Sequence, residues 1–92
     1  MKVIFSDRFE NELFAIADYI SLYNEKRADL FVEEVERRCQ NLVDMPYKCR
    51  KSLKFDDDNV RDLIYKGYVM PYLIKDDCIN ILGIYKSNAW DL

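Results

Sequence analysis

The side chains able to do chemistry in this chain are cationic, phenolic and carboxylic, because it contains no histidine. Any acid–base work would fall to Lys, Tyr, Asp or Glu. Arg61, Tyr85 and Lys86 are placed near the ends of neighbouring predicted strands. Lys66 lies in the turn between two of them, and Lys54 enters from a basic stretch. Clustered cations of this kind can hold a phosphate and stabilise charge developing on it. The plainer reading of the same residues is that Arg61 and Lys66 are exposed strand charges and Tyr85 packs the sheet. There is no Ser/His or Cys/His constellation and no glycine-rich phosphate loop. Asp56-Asp57-Asp58 has the residue types of a metal site, but adjacent residues on a strand or turn point in different directions, so neither a metal nor a cofactor is expected.

The basic stretch has two readings of its own. Between Pro46 and Phe55, Lys48, Arg50, Lys51 and Lys54 bring four positive charges with no acid, and the three aspartates follow at once. It is either a solvated connection whose opposite charges partly neutralise each other, or a small patch for a phosphate or a protein partner.

The elements that must position these residues read most clearly from Asn59 to Trp90. Val60 to Tyr65 is rich in β-branched and aromatic residues. Lys66-Gly67 supplies a two-residue turn, where Gly67 can take φ > 0 without steric penalty. Tyr68 to Lys75 returns, Asp76-Asp77 turns again, and Cys78 to Tyr85 closes a three-stranded meander. Pro71 interrupts the pattern. It removes a ladder donor from the middle strand, which predicts a bulge at Met70-Pro71 or an unpaired amide side there.

A sheet of this kind needs a cover on one face, and the first half of the chain has the pattern for it. Lys2 to Phe5 is a short strand, and Ser6 can N-cap the helix that follows. Phe9, Leu13, Ile16, Ala17 and Ile20 form one apolar face of a helix ending near Leu22. Asn24 can cap a second helix, whose stripe is Ala28, Phe31, Val32, Val35, Cys39, Leu42 and Val43. Glu33–Arg37 and Glu34–Arg38 are spaced as i,i+4 pairs on its outer side, and Pro46 stops it. The fold class is α+β: an N-terminal strand, then an antiparallel helical hairpin packed on an antiparallel sheet. Leu13, Ile20, Phe31 and Val35 are predicted to be buried between the hairpin and the sheet.

Length and composition suit one domain spanning residues 1–92. Half the residues are hydrophobic, with two Gly and two Pro, which excludes a disordered chain. The net charge is −3, so general nucleic-acid binding through phosphate neutralisation is disfavoured and would have to live on a local patch. Three widely spaced cysteines do not make a disulfide framework. No signal peptide or apolar run of spanning length appears, which predicts a cytoplasmic protein with no membrane contact.

The order of elements resembles the RelE/ParE superfamily of toxins from bacterial type II toxin–antitoxin modules. The residues that carry the resemblance are Phe5-Ser6, Ile16-Ala17-Asp18-Tyr19-Ile20, Ala28, Phe31 and Leu42 to Pro46. Arg61-Asp62-Leu63, Gly67-Tyr68, Tyr72 and Ile79 to Ile84 complete the set. The superfamily holds two mechanisms: RelE-like ribosome-dependent cleavage of mRNA, and ParE-like inhibition of DNA gyrase without that chemistry. The Ile-Ala-Asp-Tyr-Ile helix and the Met45-Pro46 helix end look more like the ParE side. The departures point the same way. Val69 and Gly83 stand where family members often carry basic residues, and Lys86 stands where they often have His. A ribonuclease would have to rely on Arg61, Lys54, Tyr85 and Lys86; a toxin remnant acting as an inactive interaction module is the third reading.

The resemblance also implies a cognate antitoxin whose tail wraps the hairpin and sheet, as a hetero-oligomer, with a toxin homodimer also open. Tyr19, Leu22, Tyr23 and Leu30 are apolar or aromatic residues at the margin of the two stripes and form the expected contact, unless they merely close the helix–helix seam. Lys48, Arg50, Lys51 and Lys54 could receive the antitoxin's acidic residues.

Overall fold

The structure, a computed structural model, describes residues 1–87; Asn88, Ala89 and Trp90, the end of the predicted sheet stretch, lie outside the described residues. The chain opens with β1 (Lys2–Phe5) and turns directly into α1 (Asp7–Ser21). The Ser6 hydroxyl accepts from the Phe9 amide at 3.0 Å, as the cap position predicts. A three-residue link follows, and Asn24 caps α2 (Glu25–Gln40) by accepting from the Arg27 amide at 3.0 Å.

The second helix ends sooner than the proline alone predicts. After Gln40 the chain tightens into a 3₁₀ turn over Asn41–Asp44, which still buries Leu42 completely. Met45 is already out of the helical region, at φ −150° and ψ 77°, because the ring of Pro46 crowds a helical residue before it. On the outer side, Glu34 takes both arginines: its carboxylate bridges Arg37 and Arg38 in place of the predicted Glu33–Arg37 pair. The hydrogen bond from Arg37, with help from Arg38, holds the Glu34 carboxyl down to about 2.

The remaining strands are β2 (Arg50–Lys51), β3 (Val60–Tyr65), β4 (Tyr68–Ile74), β5 (Cys78–Ile81) and β6 (Tyr85–Lys86). The sheet order is β1-β5-β4-β3-β2, with β6 pairing β4 beyond the end of β5. The meander is present as expected, and Lys66 and Gly67 both have positive φ, at 49° and 82°. That combination is the type I′ geometry that matches strand twist. The sheet is mixed rather than wholly antiparallel, because β1 runs parallel to β5, with Val3 opposite Ile79. A parallel neighbour requires a crossover, and the helical hairpin is that crossover.

Register assigns the faces. Leu63, Met70, Tyr72, Ile74, Ile79 and Ile81 point at the hairpin and pack with Phe9, Leu13, Phe31, Val35, Cys39 and Leu42. Leu13, Phe31 and Val35 are buried as predicted, whereas Ile20 is only partly buried, since it borders an open groove at the end of α1. Val60, Asp62, Ile64, Val69, Pro71 and Tyr85 lie on the opposite, helix-free face.

Pro71 has a specific accommodation. It pairs with Asp62 across β3, and its carbonyl accepts from Leu82 on the other side at 2.8 Å. Its missing donor therefore also faces the last segment, and that is where the ladder breaks. From Ile81 to Tyr85 the chain uses one residue more than β4 does from Tyr72 to Val69, so the bulge falls at Leu82–Ile84 and not on β4 itself. The freed groups are taken up from α1. Ile84 donates to Glu12 Oε1 at 3.1 Å, and the Leu82 carbonyl accepts from the Ser6 hydroxyl at 3.1 Å. Gly83 is what admits Glu12, since a Cβ there would stand 2.7 Å from its Oε1.

Candidate functional site

The predicted phosphate-binding set is not assembled. Arg61 sits opposite Tyr72 and points to the helix side of the sheet. Its Nε donates to the Asp58 carbonyl at 3.1 Å and its Nη1 to the Cys49 carbonyl at 3.2 Å, with the guanidinium 5.0 Å from the Tyr47 ring centre. An arginine giving two of its five donors to backbone carbonyls braces the 46–60 connection. Tyr85 sits opposite Val69, on the other face, with Lys54 Nζ 3.8 Å above its ring. Lys86 alternates back to the helix side and approaches the Tyr68 ring at 5.8 Å, while Lys66 approaches Tyr65 at 5.5 Å. Of these five candidates, only Lys54 and Tyr85 come together. Strand alternation separates the rest, and the bulge at Leu82–Ile84 sets the phase of that alternation.

Around Tyr85 the helix-free face holds a polar cluster that sequence reasoning missed. Asp62 is buried, with one oxygen taking Arg50 Nη2 and the Leu53 amide, each at 3.3 Å, and the other oxygen without a protein partner. Burial, followed by the negative charge of Asp62, raises the Tyr85 phenol above its ordinary value, while Arg50 acts in the opposite sense. Tyr85 is therefore neutral at physiological pH. The signal available in the sequence was the alternation Val60-Arg61-Asp62-Leu63. It places Asp62 on the face away from Arg61, and the neutralising partner then has to come from β2.

Half of the basic patch is compensated. Arg50 is tied to Asp62, and Lys51 Nζ lies 2.6 Å from Asp58 Oδ1, which answers the neutralisation reading of the aspartate run for that pair. Lys48 and Lys54 are exposed and have no carboxylate within ion-pair distance among the described residues.

The larger surface feature lies on the hairpin side. A groove of about 630 Å³ is lined by Tyr19, Tyr23, Leu30, Tyr65, Lys66 and Tyr68, with Phe31 at its base. It continues past Tyr19 and Tyr68 into a second hollow of about 560 Å³, bounded by Glu12, Ile16, Ile84 and Lys86. Tyr19 and Tyr23 meet edge to face at 5.6 Å yet remain 62% and 76% exposed, and Leu30 is 54% exposed. They do not close the seam between the helices. Leu22, 78% exposed at the hairpin tip, does not line the groove.

An N-terminal strand, a helical hairpin as crossover and a mixed sheet with a C-terminal bulge define the small α+β toxin class that the sequence resembles. Residues 3–88 match the family described as the ParE toxin of the type II toxin–antitoxin system, parDE, and the chain belongs to that family. It is a ParE-like toxin component, and the system to which it belongs implies a cognate antitoxin that neutralises it. A solved structure described as the chromosomal ParDE TA system from P. aeruginosa superposes with a TM-score of 0.77 at 21% identity, covering 96% of this chain and 97% of that one. At that identity the likeness speaks for the fold. A search of curated protein sequences finds no match. Among the described residues no helix is long and apolar enough to cross a membrane.

Proposed function

We propose that this toxin arrests growth by inhibiting DNA gyrase, without cleaving RNA, and that its antitoxin neutralises it by filling the hairpin groove. The observation that carries the first half is the separation of Arg61 from Lys54 and Tyr85. Metal-free RNA cleavage must activate a 2′-hydroxyl, hold a crowded phosphate and protonate a leaving oxygen at one centre. Here the arginine is bound to carbonyls on one face, the tyrosine and one lysine stand on the other, and Lys86 turns toward the groove. The set contains no histidine or carboxylate, and burial raises the Tyr85 phenol above its ordinary value, further from a base's range. For the antitoxin, the exposed aromatic lining of the groove supports an apolar contact, and the ion pairs of Arg50 and Lys51 leave little free charge for an electrostatic one.

The test is to induce the chain in a bacterium, and separately to assay the purified toxin on gyrase supercoiling. Blocked supercoiling with intact messages is the expected result. Cleavage of translated messages by the wild type, lost in Arg61→Ala or Lys86→Ala, would replace this reading with a ribonuclease. For the antitoxin, Tyr23→Asp should weaken binding, and raising salt should weaken it only modestly, because screening acts on exposed charges and not on apolar burial. Unchanged affinity in Tyr23→Asp with a steep salt dependence would move the antitoxin to the basic patch.

A further inference from the structure

The helix-free face of the sheet is built at some energetic cost, and the cost is spent on one turn. Ser52 is buried; its amide donates to the Val60 carbonyl at 2.9 Å, and its hydroxyl takes the Lys54 and Phe55 amides at 3.2 and 3.3 Å. Asp62 fixes the other side of the turn through Leu53 and Arg50. A buried carboxylate with one oxygen unpaired is expensive. What it secures is presentation: Leu53, whose amide reaches Asp62, is 73% exposed. Phe55, which lines a hollow with Pro71 and Tyr85, is 42% exposed. Asp62, Pro71 and Tyr85 share the face that carries the half-exposed Ile64. Lys54 stands between Leu53 and Phe55, over Tyr85. The hollow lies beside this turn and measures about 290 Å³. It is walled by Phe55, Pro71, Leu82 and Tyr85, with Lys54 at one end and the α1 side chains Arg8 and Glu12 at the other.

We infer that this face is a second docking surface, separate from the groove, and that it takes a segment of the toxin's cellular target: a protein segment offering an apolar side chain to the hollow and a carboxylate to Lys54. Charge decides the class of partner. From Lys48 to Asp62 there are five cations against four carboxylates, and two of the cations are paired, so the surplus needed to neutralise a run of phosphates is missing. Exposed apolar groups beside a lysine whose only described neighbour is an aromatic ring fit an acidic, partly apolar protein surface. The hollow meets the hairpin-side hollow at Glu12 and Tyr85, but it shares no lining residue with the groove of Tyr19, Tyr23 and Leu30, so one toxin could hold target and antitoxin on different surfaces. The inference rests on the proposed toxin activity for the role of its occupant, but not on that target being gyrase.

The experiment compares wild type, Leu53→Asp, Lys54→Glu and Tyr23→Asp for growth arrest on induction, inhibition of purified gyrase and antitoxin affinity. Circular dichroism confirms that each is folded, which the exposure of all three positions favours. Leu53→Asp and Lys54→Glu are expected to lose inhibitory potency by about tenfold or more, the range of an interface hot spot, with antitoxin affinity held within about twofold. Tyr23→Asp should do the reverse. Undiminished growth arrest in both helix-free-face variants overturns the inference, as does joint loss of arrest and antitoxin binding, or a wild type that causes no arrest. Direct binding of a DNA fragment that Lys54→Glu abolishes would overturn the protein occupant. Growth arrest that follows the expected pattern while supercoiling is untouched upholds this surface and refutes gyrase as the target.

Discussion

The two faces of the sheet are built on opposite principles. On the hairpin side, aromatic rings from α1, the link after it, β3 and β4 line an open groove, and their backbone is held by helix, ladder and the turn at Tyr23. Few hydrogen bonds fix the rings themselves, and Tyr19 and Tyr23 touch mainly each other. On the helix-free side, a short turn is held by a buried carboxylate, a buried hydroxyl and an arginine, and it holds three side chains up to solvent. A partner that folds on binding can tolerate mobile rings in a long groove, whereas a fixed turn suits a partner whose surface is already formed. The difference is one of preorganisation, and substitutions can probe each side.

Phe31→Ala should have the largest effect. Phe31 is 8% exposed, packs on Tyr65 and Tyr68 with ring centres at 6.1 and 5.2 Å, and belongs to both the core and the groove base. The loss should be about 3–5 kcal/mol, read from the denaturant midpoint, and an unchanged midpoint would show that the groove does not rest on the core. Asp62→Ala comes next, at about 1–3 kcal/mol, because it strands the Arg50 guanidinium and the Leu53 amide. It should also loosen the turn, seen as faster amide exchange at Leu53 to Phe55, and leave antitoxin affinity alone.

Gly83→Ala tests β6, which divides the two faces. The new methyl would displace Glu12 Oε1 rather than rigid backbone, so the cost is the Ile84 hydrogen bond to a charged acceptor, about 1–2 kcal/mol. Glu12→Ala should cost a similar amount, and the double variant should cost no more than the larger single one, since both remove the same bond. A fully additive pair would mean that Gly83 matters for another reason.

The smallest effect at neutral pH belongs to Cys39. Burial, then the nearby Glu36 charge, pushes its thiol up to about 12. An unfolded thiol ionises near about 8.5, so this contribution to stability is fully present below that pH and is lost as pH rises toward the folded value. Stability of the wild type should therefore fall more steeply between about pH 8.5 and 12 than that of Cys39→Ala. At pH 8, alkylation should find the half-buried Cys49 well before Cys39.

Local grammar explains what was legible beforehand. Ser6 and Asn24 could be recognised as caps because a cap is a contact over three residues, and Lys66-Gly67 could be recognised as a turn because its φ requirement is local. The stripes of α1 and α2 gave the core at Phe9, Leu13, Ala28, Phe31, Val35, Cys39 and Leu42, but Ile16, Ala17, Ile20, Val32 and Val43 are only partly buried, because periodicity reports direction and not depth. What stayed hidden depends on pairing between distant segments. Strand ends had placed Arg61 and Tyr85 side by side, and one extra residue opposite Pro71 put them back to back. The parallel pairing of β1, the partnership of Glu12 with Ile84 and the burial of Asp62 each join residues far apart in the chain or set by such a pairing. Gly83 looked like a basic residue lost, but it is the space that a carboxylate occupies.

The stitching of the two chain ends has a consequence for the order of events during synthesis. Everything that borders the hairpin by itself is complete once Asp44 has been made. Yet β1 finds its ladder partner only in Cys78–Ile81, Ser6 and Glu12 find theirs at Leu82 and Ile84, and Ser87 closes onto the Gly67 carbonyl. A nascent chain therefore holds an uncovered hairpin and an unpaired first strand until Cys78 to Ser87 are available to pair, with most of the energetic return deferred to that segment. A toxin made this way acquires both of its surfaces at nearly the same moment, when that segment docks. An antitoxin already present meets a complete groove on a finished molecule rather than a half-made one.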